Sequence, residues 1–294
     1  MSDEVCAAIV TFHPDEDFEE AVAILRPQVG RLVVVDNHSS PEAVRTLRLL
    51  AEKYDFVLIE NSENYGLGTA LNQAVVWTRA NSGCEFILFL DQDSSVSQGF
   101  VAKMVTEYRK HAENERIFLV IPKIVHRRLG HVLPQKQFKG EYLVAQTSGS
   151  LLPVRVFAEE GLHKEDLFIE FIDFDFCLRA VNKGWRIASC RAATLYHEPG
   201  NATTHSILHL FKVTTSNSSP LRKYYSVRNG LWTLRQYGLR YPHWALGTAY
   251  LLLKGVLRAL LLEKNRCAMI RMWRLAIWDF LNLRLGKFDH PKAS

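Results

Sequence analysis

The chain has 294 residues, 48% hydrophobic and 23% charged, which fits one large compact domain or a domain with an appendage and excludes a disordered or low-complexity protein. Its five cysteines, Cys6, Cys84, Cys177, Cys190 and Cys267, are odd in number and include no Cys-x-x-Cys pair, which argues against a disulfide framework or a zinc knuckle and for a reducing cytoplasm. The net charge of +5 is unevenly spread: residues 222–294 hold 14 Lys and Arg against three acids, leaving 22 against 28 in the rest. A basic tail on an acidic body points to an anionic partner, whether membrane surface, nucleic acid or phosphorylated substrate. The acidic start, Met1-Ser2-Asp3-Glu4, lacks the basic head of a secretory signal.

From the amino terminus, apolar runs alternate with helical periodicity. Val5 to Val10 reads as a strand, followed by Thr11-Phe12-His13-Pro14 and a helix with Phe18, Ala21, Val22 and Leu25 on one face. Leu32 to Val35 is a second strand ending in Asp36-Asn37-His38-Ser39-Ser40-Pro41, whose turn residues start a helix through about Lys53. Phe56 to Ile59 is a third, followed by Asn64-Tyr65-Gly66-Leu67-Gly68 and a helix to about Ala80. The fourth, Phe86 to Leu90, runs into Asp91-Gln92-Asp93. Four strand–helix alternations predict an α/β fold with a mostly parallel sheet and right-handed crossovers.

Thr11, Asp36, Asn64 and Asp91 all follow strand ends, which places them on one rim of the sheet and makes that rim a nucleotide-sized cleft. Each also has a plainer reading, Asp36 as an Asx-turn residue and Asn64 as a helix-start cap. Asp91 and Asp93 crowd two negative charges beyond a buried strand, an arrangement that favours a hard divalent cation, Mg²⁺ or Mn²⁺, together with substrate phosphates. A solvated turn is the alternative. Gly66-Leu67-Gly68 continues into Leu71, so it is no dinucleotide fingerprint, and no phosphate-loop motif occurs.

A helix over about 98–112 and a strand over 117–121 follow, then an irregular basic stretch, 122–145, read as a mobile flap beside a phosphate. Gln146 to Leu152 reads as a glycine-containing strand approached closely by ligand. In Leu167 to Arg179, aromatic and aliphatic residues crowd Asp173 and Asp175, which suits Asp173 to a general base. Asp173 as a helix cap and Asp175 paired with Arg179 is the structural alternative. Trp185–Ala188 and Ala193–Tyr196 read as a hairpin ending at His197, a candidate third metal ligand or a structural histidine.

These stretches in order, from Val10-Thr11-Phe12-His13-Pro14 through Asp36-Asn37, Asn64 to Asn72, Asp91-Gln92-Asp93, Phe168 to Ala180 and Tyr196-His197, resemble the family 2 glycosyltransferases of the GT-A fold. Within that family they look most like the bacterial rhamnosyltransferases that use dTDP-L-rhamnose. Pro220 to Asn229 resembles a segment those enzymes carry after the catalytic domain. The resemblance implies a GT-A catalytic domain over 1–220 and a basic, amphipathic helical region over 221–294. It implies that Asp36 bonds the pyrimidine base, that Thr11 and Asn64, Gly66, Leu67 and Gly68 line the nucleoside pocket, and that Asp91 faces ribose and metal. Asp93 is implied as a metal ligand, with His197 another ligand or a diphosphate contact. Asp173 is implied as the base of an inverting transfer, although Ile172 stands where the family often has a second acid.

In the tail, Trp244 to Leu253 is ten residues without charge, short of the roughly 20 needed to cross a bilayer. Lys254, Arg258, Arg271 and Arg274 beside Trp273, Trp278 and Phe280 predict helices lying on an anionic membrane surface. Packing on the catalytic domain or pairing in a homodimer is the alternative. Together with the family's lipid-linked glycan acceptors, this gives a cytoplasmic enzyme peripheral to the inner face of the membrane. A sugar-1-phosphate nucleotidyltransferase would need a glycine-rich loop after the first strand. A nucleic-acid binder would leave the strand-end acids unexplained, and another nucleotide sugar, linked to UDP or GDP, remains open as donor.

Overall fold

The structure, a computed structural model, describes residues 3–112, 115–198, 203–207, 211–215, 218–263 and 265–290. It divides into two compact units, Met1–Lys164 with Asp173–Glu198 and Glu165–Ile172 with Pro199–Ser294. This division differs from one at residue 220 by a strand pair and by the short stretch 165–172.

The first unit is built on an eight-stranded sheet. Strands β1 (Val5–Thr11), β2 (Arg31–Asp36), β3 (Val57–Glu60) and β4 (Phe86–Asp91) run parallel in the order β3-β2-β1-β4. β1, β2 and β4 are near-continuous runs of buried Val, Ile, Leu and Phe because helices cover both sheet faces. Val5, Ala7, Ile9, Leu32, Val34, Phe86 and Leu88 share a core cluster with α1 (Asp17–Leu25), α2 (Pro41–Tyr54) and α4 (Phe100–Ala112). The alternate residues face the other way: Cys6 accepts a bond from Thr78 of α3 (Leu67–Asn81) at 3.3 Å, and Phe89 packs edge-on to Phe157 of α5 (Val156–Glu160). Each such fully buried aliphatic or aromatic side chain contributes about 1.5–3 kcal/mol.

Beyond β4 the sheet becomes mixed. β7 (Leu151–Pro153) is antiparallel to both β4 and β6 (Ile117–His126), and β8 (Arg186–His197) is parallel to β6 and carries β5 (Ser95–Val96) on its outer edge. The remaining helix of this half, α6, spans Ile172–Asn182.

Three local readings are corrected here. β6 runs five residues past Ile121 to His126, into the stretch read as irregular, because Ile124 and Val125 continue the pairing with β8. The expected 185–196 hairpin is one continuous strand: residues 191–193 bulge between the Pro122–Cys190 and Lys123–Thr194 pairs, and the exposed Arg191 and Ala192 break the apolar pattern there as a turn would. Gly149 lies before β7 and not within a strand, and protein neighbours require its lack of a Cβ. It has φ +82, and a Cβ there would lie 2.8 Å from Pro122 Cγ and 2.9 Å from Leu195 Cδ2.

The second unit contains the antiparallel pair β9 (Thr203–Ile207) and β10 (Phe211–Thr215) and the helices α7 (Pro220–Tyr237), α8 (Pro242–Leu262) and α9 (Arg266–Leu281). Ser219 caps α7 by accepting a bond from Arg222 N at 3.2 Å. Tyr224, Tyr225, Met272 and Ala276 form one apolar cluster, Ala259, Met269 and Trp273 another. Trp273 is therefore a core residue, while Trp278 is exposed. α8 has 21 residues and is long and apolar enough to cross a membrane by length and composition, about 32 Å at 1.5 Å per residue. The ten-residue estimate fails because Lys254 and Arg258 interrupt the uncharged run without ending the helix.

Candidate active site

The parallel register sets the site. Thr11 pairs with Asp36, Asp36 with Glu60, and Val10 with Asp91, so the carboxyl ends of β1, β2, β3 and β4 share one rim. Ligands bind at such a rim in open α/β sheets.

Asp36 is buried and held from several directions. Its Oδ1 accepts from Thr11 Oγ1 at 2.9 Å and from Ser39 Oγ at 2.5 Å, and its Oδ2 accepts from Ser39 N at 2.9 Å. Three donors leave this carboxylate part of its accepting capacity. It lines a cavity of about 360 Å³ with Ser39, Val44, Arg48 and Asn61. Asn64 does not cap α3, whose N-cap is Gly66 at φ +89. Instead Asn64 Oδ1 accepts from Gly66 N at 2.9 Å and from Asn37 Nδ2 at 3.0 Å, while Asn37 Oδ1 accepts from Tyr65 N at 3.0 Å. The Asn64–Gly68 loop is thus fastened to the end of β2. Leu67 and Gly68 open α3, Gly68 buried and Leu67 half-buried.

Ligand atoms of Asp91, Asp93 and His197 all lie within 4.8 Å of one another. Asp91 and Asp93 flank a turn closed by Ser94 N donating to Asp91 O at 3.1 Å, and the β8 register brings His197 to it from the far end of the sheet. His197 Nδ1 lies 3.4 Å from Asp93 Oδ1 and 3.0 Å from Ser94 Oγ. Asp93 Oδ1 is buried and has no hydrogen-bond partner. Burial alone would depress the His197 pKa, but the adjacent carboxylates of Asp93 and Asp91 and the charge of Glu198 outweigh it and raise it. An orphaned buried carboxylate oxygen beside a second carboxylate and an imidazole is a donor set that fits a divalent cation such as Mg²⁺ or Mn²⁺.

Several residues that the motifs do not single out complete this rim. Gln92, between the two acids, accepts from Phe12 N at 2.7 Å and donates to Phe12 O at 3.2 Å, tying the Asp91–Asp93 turn to the end of β1. Ser148 accepts from Asp91 N at 3.0 Å and bonds Ser94 Oγ at 2.8 Å. Its position in the Thr-Ser-Gly stretch was the available signal, read there as strand. Arg127 and Arg128, in the basic stretch read as a flap beside a phosphate, pair with Asp17 at 3.1 Å and with Glu198, the neighbour of His197, at 2.8 Å.

Asp173 lies in the first turn of α6, half-buried, its Oδ1 accepting from Phe174 N at 2.9 Å. Asp175 is buried and 3.9 Å from Arg179, a structural pair.

An α/β sheet whose rim brings together Asp91, Asp93 and His197 with the buried strand-end Asp36 is consistent with the architecture of GT-A enzymes. Residues 7–144 match the family described as Glycosyl transferase family 2. The chain is 27% identical over 256 residues to the dTDP-rhamnosyl transferase RfbF of Shigella flexneri, covering 80% of this chain and 81% of that one. It is 23% identical over 217 residues to the low-salt glycan biosynthesis hexosyltransferase Agl10 of Haloferax volcanii, covering 67% and 68%. Among solved structures it resembles TarS of S. aureus, with TM-score 0.61, 16% identity and coverage of 95% of this chain and 49% of that one. It also resembles GalNAc-T7 with UDP, GalNAc and Mn²⁺, with TM-score 0.57, 15% identity and coverage of 79% and 47%. The chain spans about half the length of those two solved chains, and the likeness to them is one of fold. These matches support a family 2 glycosyltransferase domain within the chain.

Proposed function

We propose that the chain transfers L-rhamnose from dTDP-L-rhamnose to a hydroxyl of a lipid-linked cell-surface glycan precursor, with inversion at the anomeric carbon. The observation that carries the transfer chemistry is the convergence of Asp91, Asp93 and His197 on the rim that also holds Asp36. The donor rests on the 27% likeness to a dTDP-rhamnosyl transferase.

Asp36 accepts from the pyrimidine through its remaining lone pair, with Thr11 fixing its orientation. Thr11, Asn64, Gly66, Leu67 and Gly68 wall the nucleoside, and Asp91 faces the ribose. Asp93 and His197, with Asp91, would hold a divalent cation, which when bound supplies Lewis-acid neutralisation of the departing diphosphate. Asp173 takes the proton from the acceptor hydroxyl as it attacks. A positioned base of this kind is worth about 10² to 10⁴ in rate.

The acceptor side rests on the tail. Leu246, Tyr250, Leu253, Leu257 and Leu261 form an exposed stripe on α8, and Ile270, Ile277, Trp278 and Leu281 are exposed on α9. The acids there turn inward: Glu263 pairs with Lys223, and Asp279 accepts from Tyr224 and is paired with His290 at 2.7 Å. Arg266, Arg271 and Arg274 are exposed. An apolar face with cations and no exposed acid among the described residues of the two helices complements an anionic lipid surface. Trp244, Thr248 and Ala259 are buried within the unit, so α8 lies in the interface with one face on protein. The enzyme is accordingly peripheral on the cytoplasmic face of the membrane.

The test is a panel of dTDP-, UDP- and GDP-sugars with Mn²⁺, read as released nucleoside diphosphate and as thermal shift. Turnover of dTDP-L-rhamnose alone is expected; turnover confined to a UDP- or GDP-sugar rejects the donor assignment, and none with any donor rejects the function.

A further inference from the structure

The segment Pro220–Asn229, noted in the sequence and unused by the rim chemistry, forms one face of α7, where Arg222, Tyr225, Arg228 and Asn229 recur at helical spacing. That face is spent on the stretch 166–171, immediately before α6. Phe168, Glu170 and Phe171 all have positive φ, at +63, +65 and +64, a region that residues with a Cβ rarely adopt, and none of them is glycine. Such a run persists only when its surroundings over-determine it.

Asn229 supplies most of that determination. It is fully buried, and its Nδ2 donates to Leu167 O at 2.7 Å, Ile169 O at 2.7 Å and Glu170 O at 3.0 Å. Its Oδ1 accepts from Arg228 Nε at 2.9 Å, and since a guanidinium offers only donors, this bond fixes which way the amide points. Arg228, also buried, reaches Asp166 O at 3.3 Å and Gly286 O at 2.8 Å. Phe168 stacks on Tyr225, ring centroids 5.0 Å apart, and Arg222 bonds Glu170 at 2.5 Å. Gly230 leaves room for Phe171, whose Cζ would lie 3.1 Å from a Cβ there. Each of these groups holds a residue of the stretch 166–171, which leads into Ile172, the first residue of α6, with Asp173 the second.

We propose that Asn229, oriented by Arg228, is a positioning residue: it locks the left-handed stretch before α6 and so sets where the first turn of that helix holds the Asp173 carboxylate. This rests on the reading of Asp173 as the base. Loss of the Asn229 amide frees three carbonyls, lets the stretch relax toward ordinary φ, and shifts Asp173 along its own chain.

The experiment compares Asn229→Ala, Arg228→Lys, Asp173→Asn and the Asn229→Ala/Asp173→Asn double variant in the full-length protein. Readouts are dTDP release from dTDP-L-rhamnose with Mn²⁺ and water as acceptor, dTDP affinity, and amide hydrogen exchange over 167–174. Expected for Asn229→Ala is a turnover loss on the order of 10–100-fold, as for a catalytic group misplaced by about an ångström. dTDP affinity should stay within about twofold, with faster exchange confined to that stretch. The double variant should be no slower than Asp173→Asn alone, because a residue acting through Asp173 has nothing left to act on. Arg228→Lys should reproduce the pattern more weakly, and carries the test if Asn229→Ala does not melt cooperatively. Unchanged exchange over 167–174, full turnover, or losses that multiply in the double variant would overturn the positioning role. Full turnover in Asp173→Asn would instead remove the base assignment.

Discussion

Oδ1 of Asp93 is buried 3.4 Å from Nδ1 of His197 and has no hydrogen-bond partner, with a carboxylate oxygen of Asp91 within the same 4.8 Å cluster. Two acids and an imidazole so placed gain most when a cation joins them. Asp93→Asn keeps the size of the side chain but removes the charge a cation would bind, together with the carboxylate that raises the His197 pKa, so its melting point without metal should stay at or slightly below that of the parent. The rise in melting point produced by Mn²⁺ should vanish, where binding at 100 times Kd would contribute about 2.7 kcal/mol. Turnover should fall on the order of 10²-fold or more. A variant that keeps the metal-induced shift would remove Asp93 from the ligand set.

At the other end of the rim, Asp36 is the acceptor for three donors from Thr11 and Ser39. Asp36→Ala leaves those groups buried without it, at about 1–3 kcal/mol for each unsatisfied donor, and should lower both stability and nucleotide affinity. Thr11→Val removes one bond, about 1 kcal/mol, and should weaken nucleotide binding while leaving the fold intact. Calorimetric titration with dTDP distinguishes the two. Equal affinity in Thr11→Val would mean that orienting Asp36 does not require Thr11.

Asp173→Asn preserves size and the capacity to accept from Phe174 N but not the capacity to take a proton. Turnover should drop by about 10² to 10⁴ with dTDP affinity unchanged. Steady-state rates beside equilibrium binding separate this outcome from misfolding, which would lower both.

How far the sequence reaches depends on how local the cause is. The ends of β1, β2 and β4 are legible because each is an apolar run stopped by a turn residue or acid in adjacent positions, and parallel register then aligns them. His197 meets Asp93 only through the pairing of β8 with β6 and β5, and β8 is disguised by its bulge at 191–193, where the exposed Arg191 and Ala192 interrupt the apolar pattern as a hairpin turn would. Gln92 is hidden for a different reason: its amide binds the main chain of Phe12, and a main-chain partner leaves no residue-type signature. Asn229 likewise grips carbonyls, so the Arg-Asn pair shows its presence but not its purpose until φ at 168–171 is known. Gly149 looks like a ligand approach because glycine signals closeness without saying to what.

His163 gives the fold a measurable acid sensitivity. It sits among Phe89, Phe157 and Phe176, with Nδ1 3.2 Å from Asn72 Oδ1, while Asn72 Nδ2 donates to His163 O at 2.9 Å. Asn72 Oδ1 can only accept, so Nδ1 carries a proton, and burial keeps the imidazole neutral. Burial, and secondarily the charge of Arg179, push its pKa down to about 3. In the unfolded chain it titrates near 6.5. Between those values the unfolded state binds a proton that the folded state refuses, so stability is full above about pH 6.5 and falls as pH drops, by about 1.4 kcal/mol per unit. From pH 6.5 to 5 this single group should cost about 2 kcal/mol. Denaturant unfolding at a series of pH values, repeated on His163→Gln, isolates it, since the remaining histidines titrate in both proteins. The variant should be less stable at pH 7.5 through lost packing yet decline less steeply below pH 6.5, and parallel curves would mean that His163 is protonated in the folded state.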